Sequence, residues 1–339
     1  MAYSDDLNKA SRIYLPWDKL NGCNILITGA TGLIGSCLVD VLMLHPNKKY
    51  NVYASGRNKE RALSLFTKYK DDEAFHFFVY DVTNPLDSNI DFHYIIHAAS
   101  NASPNFFSTK PVEIIKSNIY GVINLIDYGL KHNLRRFLYI SSGEVYGEGD
   151  GRIFTEDYCG YVDPTLSRSC YPNSKRTAET LCVAYSKEYG VDTVIARPTH
   201  VYGPHFTESD NRVYAQFIRN VINEEDIIMK STGNQYRSWC YVVDCVSALL
   251  HILLKGERGQ AYNIADNSSN ISIKKLAEII ANLSNKQVIQ QDPSNIEKIG
   301  YNVVTKSIFS TDKIEKLGWK IESSFIEKMI STIQECKKT

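Results

Sequence analysis

The feature that most constrains this chain is a repeated alternation of short apolar runs with longer amphipathic segments, which starts near residue 22. The first run, CNILIT, precedes the helical pattern GLIGSCLVDVLML, and the later apolar runs are NVYAS, FHFFVY, HYIIHAAS and RRFLYIS. Apolar strands that alternate with helices form parallel sheets, because each crossover helix covers one face of the sheet. The sequence therefore predicts an α/β fold built on a doubly wound parallel sheet.

The first crossover carries the segment GATGLIG, whose glycines lie between a predicted strand and a predicted helix. In this spacing Gly29 forms the tight turn, Gly32 lets the backbone approach a pyrophosphate and Gly35 lets the helix pack on the strand. Amides at the helix N-terminus then meet the phosphates, which predicts a Rossmann-type dinucleotide site. The predicted cofactor contacts of this segment are Gly29, Thr31, Gly32, Leu33, Ile34 and Gly35.

The end of the second predicted strand bears on the choice of dinucleotide. NAD-binding versions of this fold place an acidic residue there for the ribose hydroxyls, whereas this chain has ASGRN with Arg57 and Asn58. An arginine fork pairs well with a 2′-phosphate, so NADP(H) is favoured and NAD(H) stays possible. The alternative is an exposed arginine that starts the next helix. Asp81 and Val82 follow the third strand, and Asp81 is predicted either to contact the adenine side or to cap a turn.

Tyr171 and Lys175 stand four residues apart in the segment SRSCYPNSKR, so both side chains lie on one face of a predicted helix. A lysine ammonium near a phenol favours the phenolate, which lets the tyrosine act as an acid or a base toward a carbinol. The segment SSGEVYG follows the fifth strand and brings Ser141, Ser142 and Glu144 to the carboxyl edge of the sheet, where open α/β folds bind ligands. These residues together predict a catalytic centre, in which a serine hydroxyl holds the same oxygen as the tyrosine.

The set GATGLIG, HAASNASP, SSGEVYG and YPNSK resembles the extended short-chain dehydrogenase/reductases that modify nucleotide sugars, from about Gly22 to the low 300s. The resemblance implies a centre of Ser142, Tyr171 and Lys175, with Tyr171 as acid/base and Lys175 on both the nicotinamide ribose and the phenol. It also implies that a segment after the fourth strand lines the cofactor cleft, with Asn118 behind it. The residues of that segment are His97, Ala98, Ala99 and Ser100.

The downstream segments RSCYPNSKRTAETLC, ARPTHVYGP, DNRV and YRSWCYVVD are similar to UDP-glucuronate decarboxylases. That similarity implies that Arg237 holds the substrate diphosphate and that Arg212 lies near the nucleotide or the sugar. His200 replaces an asparagine common in relatives, and it is expected either to touch the substrate or to pack in the interior. The predicted substrate contacts are Ser103, Ser142, Gly143, His200, Arg212 and Arg237.

Departures from these relatives shape the predicted reaction. Gly143 stands where decarboxylases have serine and where sugar dehydratases have the aspartate that protonates the departing hydroxyl, so dehydration is disfavoured. Glu144 matches the glutamate of these relatives. It is expected either to transfer protons beside the sugar or to form a hydrogen bond with the backbone. Because ASGRN favours NADP(H), the main prediction is net reduction of a keto group in a nucleotide-linked sugar, including an NDP-ketose to an NDP-alditol, with Tyr171 as proton donor.

Three alternatives stay open at this point. The first is a UDP-glucuronate decarboxylase and the second a nucleotide-sugar 4-epimerase, both of which oxidise and re-reduce the sugar on one retained NAD. The third is a cofactor-binding scaffold without catalysis. The base of the substrate is left as CDP or UDP.

Composition bounds the remaining expectations. Lysine plus arginine equals aspartate plus glutamate at 38 each, so no electrostatic field favours nucleic acid or a membrane surface. No apolar run is long enough to span a bilayer and no signal peptide is recognisable, which predicts a cytoplasmic protein. Its eight cysteines form no CxxC pair and are expected to be reduced. No motif predicts a metal site.

The predicted organisation is an N-terminal extension over residues 1–21, a dinucleotide-binding domain over 22–198 and a mainly lid-forming region over 199–339. The lid region is expected to return to the sheet near residues 240–265. By the family resemblance, a homodimer is expected to form by pairing of the helix after Pro111 and the helix around Tyr171.

Overall fold

The computed structural model describes residues 2–291 and 306–338 of the chain. Its strands are β1 (Asn24–Thr28), β2 (Asn51–Gly56), β3 (Phe75–Val79), β4 (Tyr94–His97), β5 (Arg136–Ile140), β6 (Thr193–Pro198), β7 (His200–Tyr202), β8 (Ile227–Met229), β9 (Tyr236–Tyr241), β10 (Ala261–Ile264), β11 (Asp266–Ser272), β12 (Val288–Gln290) and β13 (Lys306–Ser307). Its α-helices are α1 (Tyr3–Ala10), α2 (Leu33–Leu44), α3 (Lys59–Phe66), α4 (Pro104–Thr109), α5 (Pro111–Gly129), α6 (Cys170–Glu188), α7 (Val213–Ile222), α8 (Val242–Lys255), α9 (Ile273–Leu283), α10 (Asp312–Glu315) and α11 (Phe325–Cys336).

Seven parallel strands form the main sheet, in the order β3-β2-β1-β4-β5-β6-β10. Successive side chains of a strand point to opposite faces, and β1 shows how the sheet is covered on both. Ile25 and Ile27 belong to the apolar cluster that contains residues of α2 and α8, whereas Leu26 belongs to the cluster that contains residues of α5 and α6. The predicted doubly wound parallel sheet is confirmed.

The strand order reverses between β1 and β4, because the chain first builds outward through β2 and β3 and then returns to the other side of β1. In open α/β sheets ligands bind at this switch point, outside the carboxyl ends of the strands. The last strand of the sheet, β10, comes from the region predicted as lid.

A second layer covers that edge of the main sheet. It contains β9, which pairs antiparallel with β11 and parallel with β7 and β13, and a separate pair of β8 with β12. The N-terminal segment is also folded: Asp6 of α1 accepts hydrogen bonds from Tyr241 of β9 and Ser331 of α11, both at 3.1 Å. These bonds tie the first helix to the second layer.

Candidate active site

The turn between β1 and α2 is built around close backbone approaches. Gly29 has a φ of 67°, and a Cβ there would lie 2.7 Å from the carbonyl group of Ala98. A Cβ on Gly35 would lie 2.3 Å from the carbonyl oxygen of Gly29. Gly32 is the N-cap residue of α2, so the open amides of the first helical turn start at the sheet edge. This cradle fits the pyrophosphate of a dinucleotide.

A second observation supports a dinucleotide at this edge. The hydroxyl of Ser100 lines the cavity described below, is buried, and has no hydrogen-bond partner among the described residues. A buried hydroxyl of this kind calls for a polar partner. The turn and Ser100 therefore fit NAD or NADP as bound group.

Arg57, at the end of β2, already has anionic neighbours. Its Nη1 lies 2.8 Å from the Oε1 of Glu113 and 4.0 Å from a carboxylate oxygen of Asp81. The Asn58 side chain caps α3 by accepting a hydrogen bond from the amide of Arg61 at 2.9 Å. A 2′-phosphate bound by Arg57 would lie beside these two carboxylates.

Tyr171 lies in the first turn of α6, and its side chain is buried. Its ring stacks on Phe107, with centroids 4.6 Å apart. Burial raises the pKa of Tyr171 to about 12, the Glu144 carboxylate adds to the rise, and a hydrogen bond with Ser142 opposes it. The phenol therefore carries its proton at neutral pH, and its conversion to a base requires added positive charge or a hydrogen-bond donor.

Lys175 lies one helical turn after Tyr171 and is also buried. Its Nζ donates a hydrogen bond to the carbonyl oxygen of Ile140 at 2.7 Å and lies 5.7 Å from the centroid of the Tyr171 ring. Burial lowers the pKa of Lys175 to about 7, while the Glu179 carboxylate raises it. The Lys175 ammonium is thus placed under the Tyr171 phenol. Because the pKa of Lys175 is about 7, small changes in nearby charge alter the protonation of the lysine.

Glu144 belongs to the short turn after β5. Its amide donates to the Ser142 hydroxyl at 3.2 Å, which fixes both residues at the strand end. Its carboxylate forms two parallel hydrogen bonds with the guanidinium of Arg168, at 2.9 and 3.0 Å. The structure therefore holds the Glu144 carboxylate in a side-chain ion pair with Arg168, and not in the hydrogen bond to the backbone that was the predicted alternative.

A cavity of about 290 Å³ opens at this edge between the two layers. The predicted site residues that line it are Ile34, Ala98, Ser100, Ser142, Gly143, Glu144, Tyr171, Lys175, His200 and Arg212. The cavity is thus lined by all four predicted catalytic residues and by some of the predicted cofactor-binding and substrate-binding residues.

The predicted substrate residues differ in what they contact. Arg212 forms a bidentate ion pair with the buried Asp210, whose shortest contact is 2.5 Å. His200 lines the cavity, and burial together with Arg237 and Arg212 lowers its pKa to about 3, so it is neutral. Arg237 is buried and donates to the carbonyl oxygen of Tyr236 at 2.9 Å. Ser103 donates to the Oδ1 of Asn211 at 2.7 Å.

Other predicted cofactor residues lie outside the cavity lining. His97 is buried between β1 and α5, where its Nδ1 is 2.8 Å from the Oγ1 of Thr28. Asn118 donates to Ser174 at 2.9 Å, and Asp81 accepts from the amide of Thr83 at 3.0 Å in a local turn. The remaining residues of this kind are Gly29, Thr31, Gly32, Leu33, Gly35, Arg57, Asn58, Val82 and Ala99.

Three of the site residues outside the sets predicted from the sequence bear on its chemistry and shape. Arg168 and Phe309 line the cavity, and Glu179 is buried beneath it. Glu179 is four residues after Lys175, a spacing that places both on one helix face. Arg168 precedes Tyr171 by three residues, whereas no local pattern marks Phe309, which is distant in the sequence.

Phe309 explains the glycine at position 143. A Cβ on Gly143 would lie 2.4 Å from the ring of Phe309, which is itself buried against Tyr146 and Phe154. The phenylalanine ring therefore takes the space that a side chain at position 143 would need. The wall of the cavity between Ser142 and Glu144 is aromatic at this point.

The described residues, 2–291 and 306–338, contain no helix that is both long and apolar enough to cross a membrane. Within the same ranges, no group of three or more histidine, cysteine, aspartate or glutamate side chains has a geometry that could hold a metal ion.

A doubly wound sheet whose carboxyl edge brings serine, tyrosine and lysine into one cavity defines a nicotinamide-dependent enzyme of the extended short-chain dehydrogenase/reductase type. The family model described as "NAD dependent epimerase/dehydratase family" matches residues 25–265, and the chain belongs to this family. The family resemblance drawn from the sequence is confirmed.

The chain is similar to two decarboxylases of Arabidopsis thaliana. It is 37% identical to "UDP-glucuronic acid decarboxylase 6" over 260 residues, which cover 76% of this chain and 74% of the relative. It is 36% identical to "UDP-glucuronic acid decarboxylase 5" over 265 residues, which cover 78% and 75%.

Among solved structures, a UDP-glucuronic acid 4-epimerase from Bacillus cereus, in complex with UDP-glucuronic acid and NAD, has the same fold. Its TM-score is 0.80 at 21% identity, and the match covers 93% of this chain and 99% of that one.

Proposed function

We propose that this protein decarboxylates a nucleotide-linked hexuronate, UDP-glucuronate being the first candidate, by transient oxidation and re-reduction of the sugar on a retained NAD. One observation carries the proposal: a single cavity contains Ser142, Tyr171 and Lys175 together with Glu144, in a chain whose relatives above 30% identity include UDP-glucuronic acid decarboxylases. The alternative of net keto reduction with NADP(H) has no corresponding support among these relatives.

In the first step the Tyr171 oxygen takes the proton of a secondary hydroxyl on the sugar. The ammonium form of the buried Lys175, whose Nζ lies 5.7 Å from the centroid of the Tyr171 ring, favours the phenolate, and the Ser142 hydroxyl donates to the sugar oxygen. The glycine turn of Gly29, Gly32 and Gly35 would hold NAD, which would supply reversible hydride transfer at the carbinol carbon.

Oxidation creates a ketone β to the carboxylate, which makes loss of CO2 possible. The bond between the ring carbon and the carboxylate breaks, and its electron pair moves to the ketone oxygen, where Ser142 and protonated Tyr171 stabilise the developing charge. The ring carbon then takes one proton, which Glu144 in the cavity delivers after taking it up from solvent. After re-reduction Tyr171 returns its proton, so the sugar has exchanged CO2 for hydrogen.

The surroundings of Arg57 support NAD over NADP. The guanidinium is paired with Glu113 at 2.8 Å and has Asp81 nearby, so a 2′-phosphate would have to displace or approach two carboxylates. Like charges at such distances are unfavourable. The predicted preference for NADP(H) stays a prediction, and we propose NAD as the cofactor.

The test is to incubate the purified protein with UDP-glucuronate without added cofactor. We expect a UDP-pentose and CO2, and we expect denatured protein to release NAD at near-full occupancy. Stoichiometric oxidation of added NADPH by a keto sugar, without CO2, would instead support net reduction.

The same assay tests the role of Tyr171. Tyr171→Phe should lower turnover by about 10²- to 10⁴-fold, the range for loss of a general acid/base. Tyr202→Phe is the matched control, because that buried hydroxyl of β7 has no hydrogen-bond partner among the described residues. Equal turnover in both variants would contradict the assignment.

A further inference from the structure

The ion pair of Arg168 and Glu144 lies inside the cavity. The two side chains are 32% and 29% exposed, and both line the same opening as Tyr171. Two parallel hydrogen bonds join them, which is the geometry that an arginine fork forms with any carboxylate. Glu144 therefore occupies a preformed carboxylate-binding position.

Arg168 is held in place from its other side. Its guanidinium carbon lies 5.3 Å from the centroid of the Phe107 ring, and that ring stacks on Tyr171. Cation–π contacts of this kind orient a guanidinium. The fork is thus positioned beside the reacting tyrosine independently of Glu144.

The other cationic side chains that line the cavity form hydrogen bonds or ion pairs with other groups of the protein. Lys175 is buried under Tyr171 and donates to Ile140. Arg212 is paired with Asp210, a buried carboxylate outside the cavity lining. Among the described cations of the lining, Arg168 is the one whose carboxylate partner itself faces the cavity.

We propose that Arg168 binds the carboxylate of the substrate by exchanging Glu144 for it. This assignment rests on the proposed function, and it names the group that selects hexuronates over neutral sugars. The exchange leaves the arginine paired, because one carboxylate replaces another in the same fork. It also releases the Glu144 carboxylate beside the sugar, where it can take up a solvent proton and deliver it to the ring carbon in the proposed reaction.

The experiment compares equilibrium binding of UDP-glucuronate and UDP-glucose by calorimetry. Arg168→Gln should weaken UDP-glucuronate binding by about 10- to 100-fold, the range for a lost charge-assisted hydrogen-bonded pair, and should leave UDP-glucose binding within about 2-fold. Glu144→Gln should strengthen UDP-glucuronate binding, because it removes the competing carboxylate. An increase in affinity cannot come from a misfolded variant.

Arg152→Gln is the matched control for charge. Arg152 is 74% exposed, pairs with Asp150 and lies outside the cavity lining, so its loss should change neither affinity.

Three results would overturn the assignment: an equal loss for both sugars in Arg168→Gln, weakened UDP-glucuronate binding in Glu144→Gln, or a wild-type protein with no preference for UDP-glucuronate. These outcomes differ from failure of the proposed function. If the affinities for UDP-glucuronate and UDP-glucose change as predicted but no CO2 is released, the carboxylate site is supported and the proposed decarboxylation is contradicted. If CO2 is released and Arg168→Gln weakens the binding of both nucleotide sugars equally, the proposed reaction is supported and the role of Arg168 is contradicted.

Discussion

Glu179 connects the two elements that carry the catalytic groups. Its carboxylate accepts a hydrogen bond from Ser141 at 2.5 Å and forms a bidentate ion pair with Arg197, at 2.7 and 3.0 Å. Ser141 directly precedes Ser142 at the end of β5, and Glu179 shares α6 with Lys175. The buried carboxylate therefore fixes the serine strand end on the helix that carries the tyrosine and the lysine.

Glu179 also sets the pH range over which Lys175 is charged. Burial lowers the pKa of Lys175 to about 7, and the Glu179 carboxylate opposes that fall. Glu179→Gln removes the charge, so the pKa of Lys175 should drop further. Because the ammonium is the form that supports Tyr171, the alkaline limb of the plot of kcat/KM against pH should move to lower pH.

Ser141→Ala is the matched control for this effect. It breaks the same hydrogen bond and leaves the Glu179 charge in place, so it should lower kcat without moving the alkaline limb. An unmoved limb in Glu179→Gln would contradict an electrostatic role.

Gly143 and Phe309 form a steric pair that can be tested by their coupling. Gly143→Ser places a Cβ 2.4 Å from the Phe309 ring and should destabilise the fold by about 1–3 kcal/mol, as overpacking does. Phe309→Ala should cost about 3–5 kcal/mol by itself. In the double variant the serine has space, so the two losses should not add. Strictly additive losses in urea unfolding would contradict the steric pairing.

At the scale of elements, the outer face of α5 and α6 carries exposed apolar side chains. They include Val112, Ile115, Tyr120 and Val183, which are 39–62% exposed. Clustered apolar exposure marks an interaction surface, and we propose that a second copy of the chain covers it. Ile115→Arg should therefore convert a dimer into a monomer in sedimentation experiments.

The control for that experiment is Leu63→Arg on α3. Leu63 is 61% exposed and belongs to α3 rather than to α5 or α6, so its replacement should leave the oligomeric state unchanged. A monomeric wild-type protein, or dissociation by both variants, would contradict the proposed interface.

Local patterns explain how much of the site the sequence could predict. The glycine turn lies within one strand–helix unit, and Tyr171 and Lys175 lie four residues apart on one helix, so both were predictable from spacing. The pair of Arg168 with Glu144 and the contact of Phe309 with Gly143 join distant segments. Such contacts depend on how distant segments pack together in the folded chain, which no local pattern contains.

The side-chain partners of individual residues could not be predicted from the sequence either. Arg57 was predicted to meet a 2′-phosphate from its position after β2, but its ion pair with Glu113 joins it to α5 across 56 positions of sequence. His97 is the last residue of β4, and its bond to Thr28 places its side chain in the interior. Strand and helix positions follow from residue pattern, whereas side-chain partners follow from tertiary packing.

At the scale of the whole molecule, Lys328 ties the C-terminal helix to the rest of the chain. It is buried on α11, with its Nζ 2.6 Å from Asp244 of α8 and 3.5 Å from Asp266 of β11. Lys328→Met leaves two buried carboxylates without that cation. It should destabilise the fold by about 3–5 kcal/mol, the range for breaking a buried pair.

Lys320→Met is the control for this prediction, because Lys320 is exposed. It should change the free energy of unfolding by less than about 0.5 kcal/mol. Equal stability of the two variants in urea unfolding would show that the buried cluster contributes little to the fold.

The most direct test of the account follows UDP-glucuronate, labelled with heavy carbon in its carboxyl group, by NMR in deuterium oxide with no added cofactor. We expect labelled CO2 and a UDP-pentose with solvent deuterium at the carbon that lost the carboxylate. The protein-bound NAD should be unchanged at the end, and Tyr171→Phe should form both products about 10²- to 10⁴-fold more slowly. A label that stays in the sugar, or turnover that needs stoichiometric NADPH, would contradict the account.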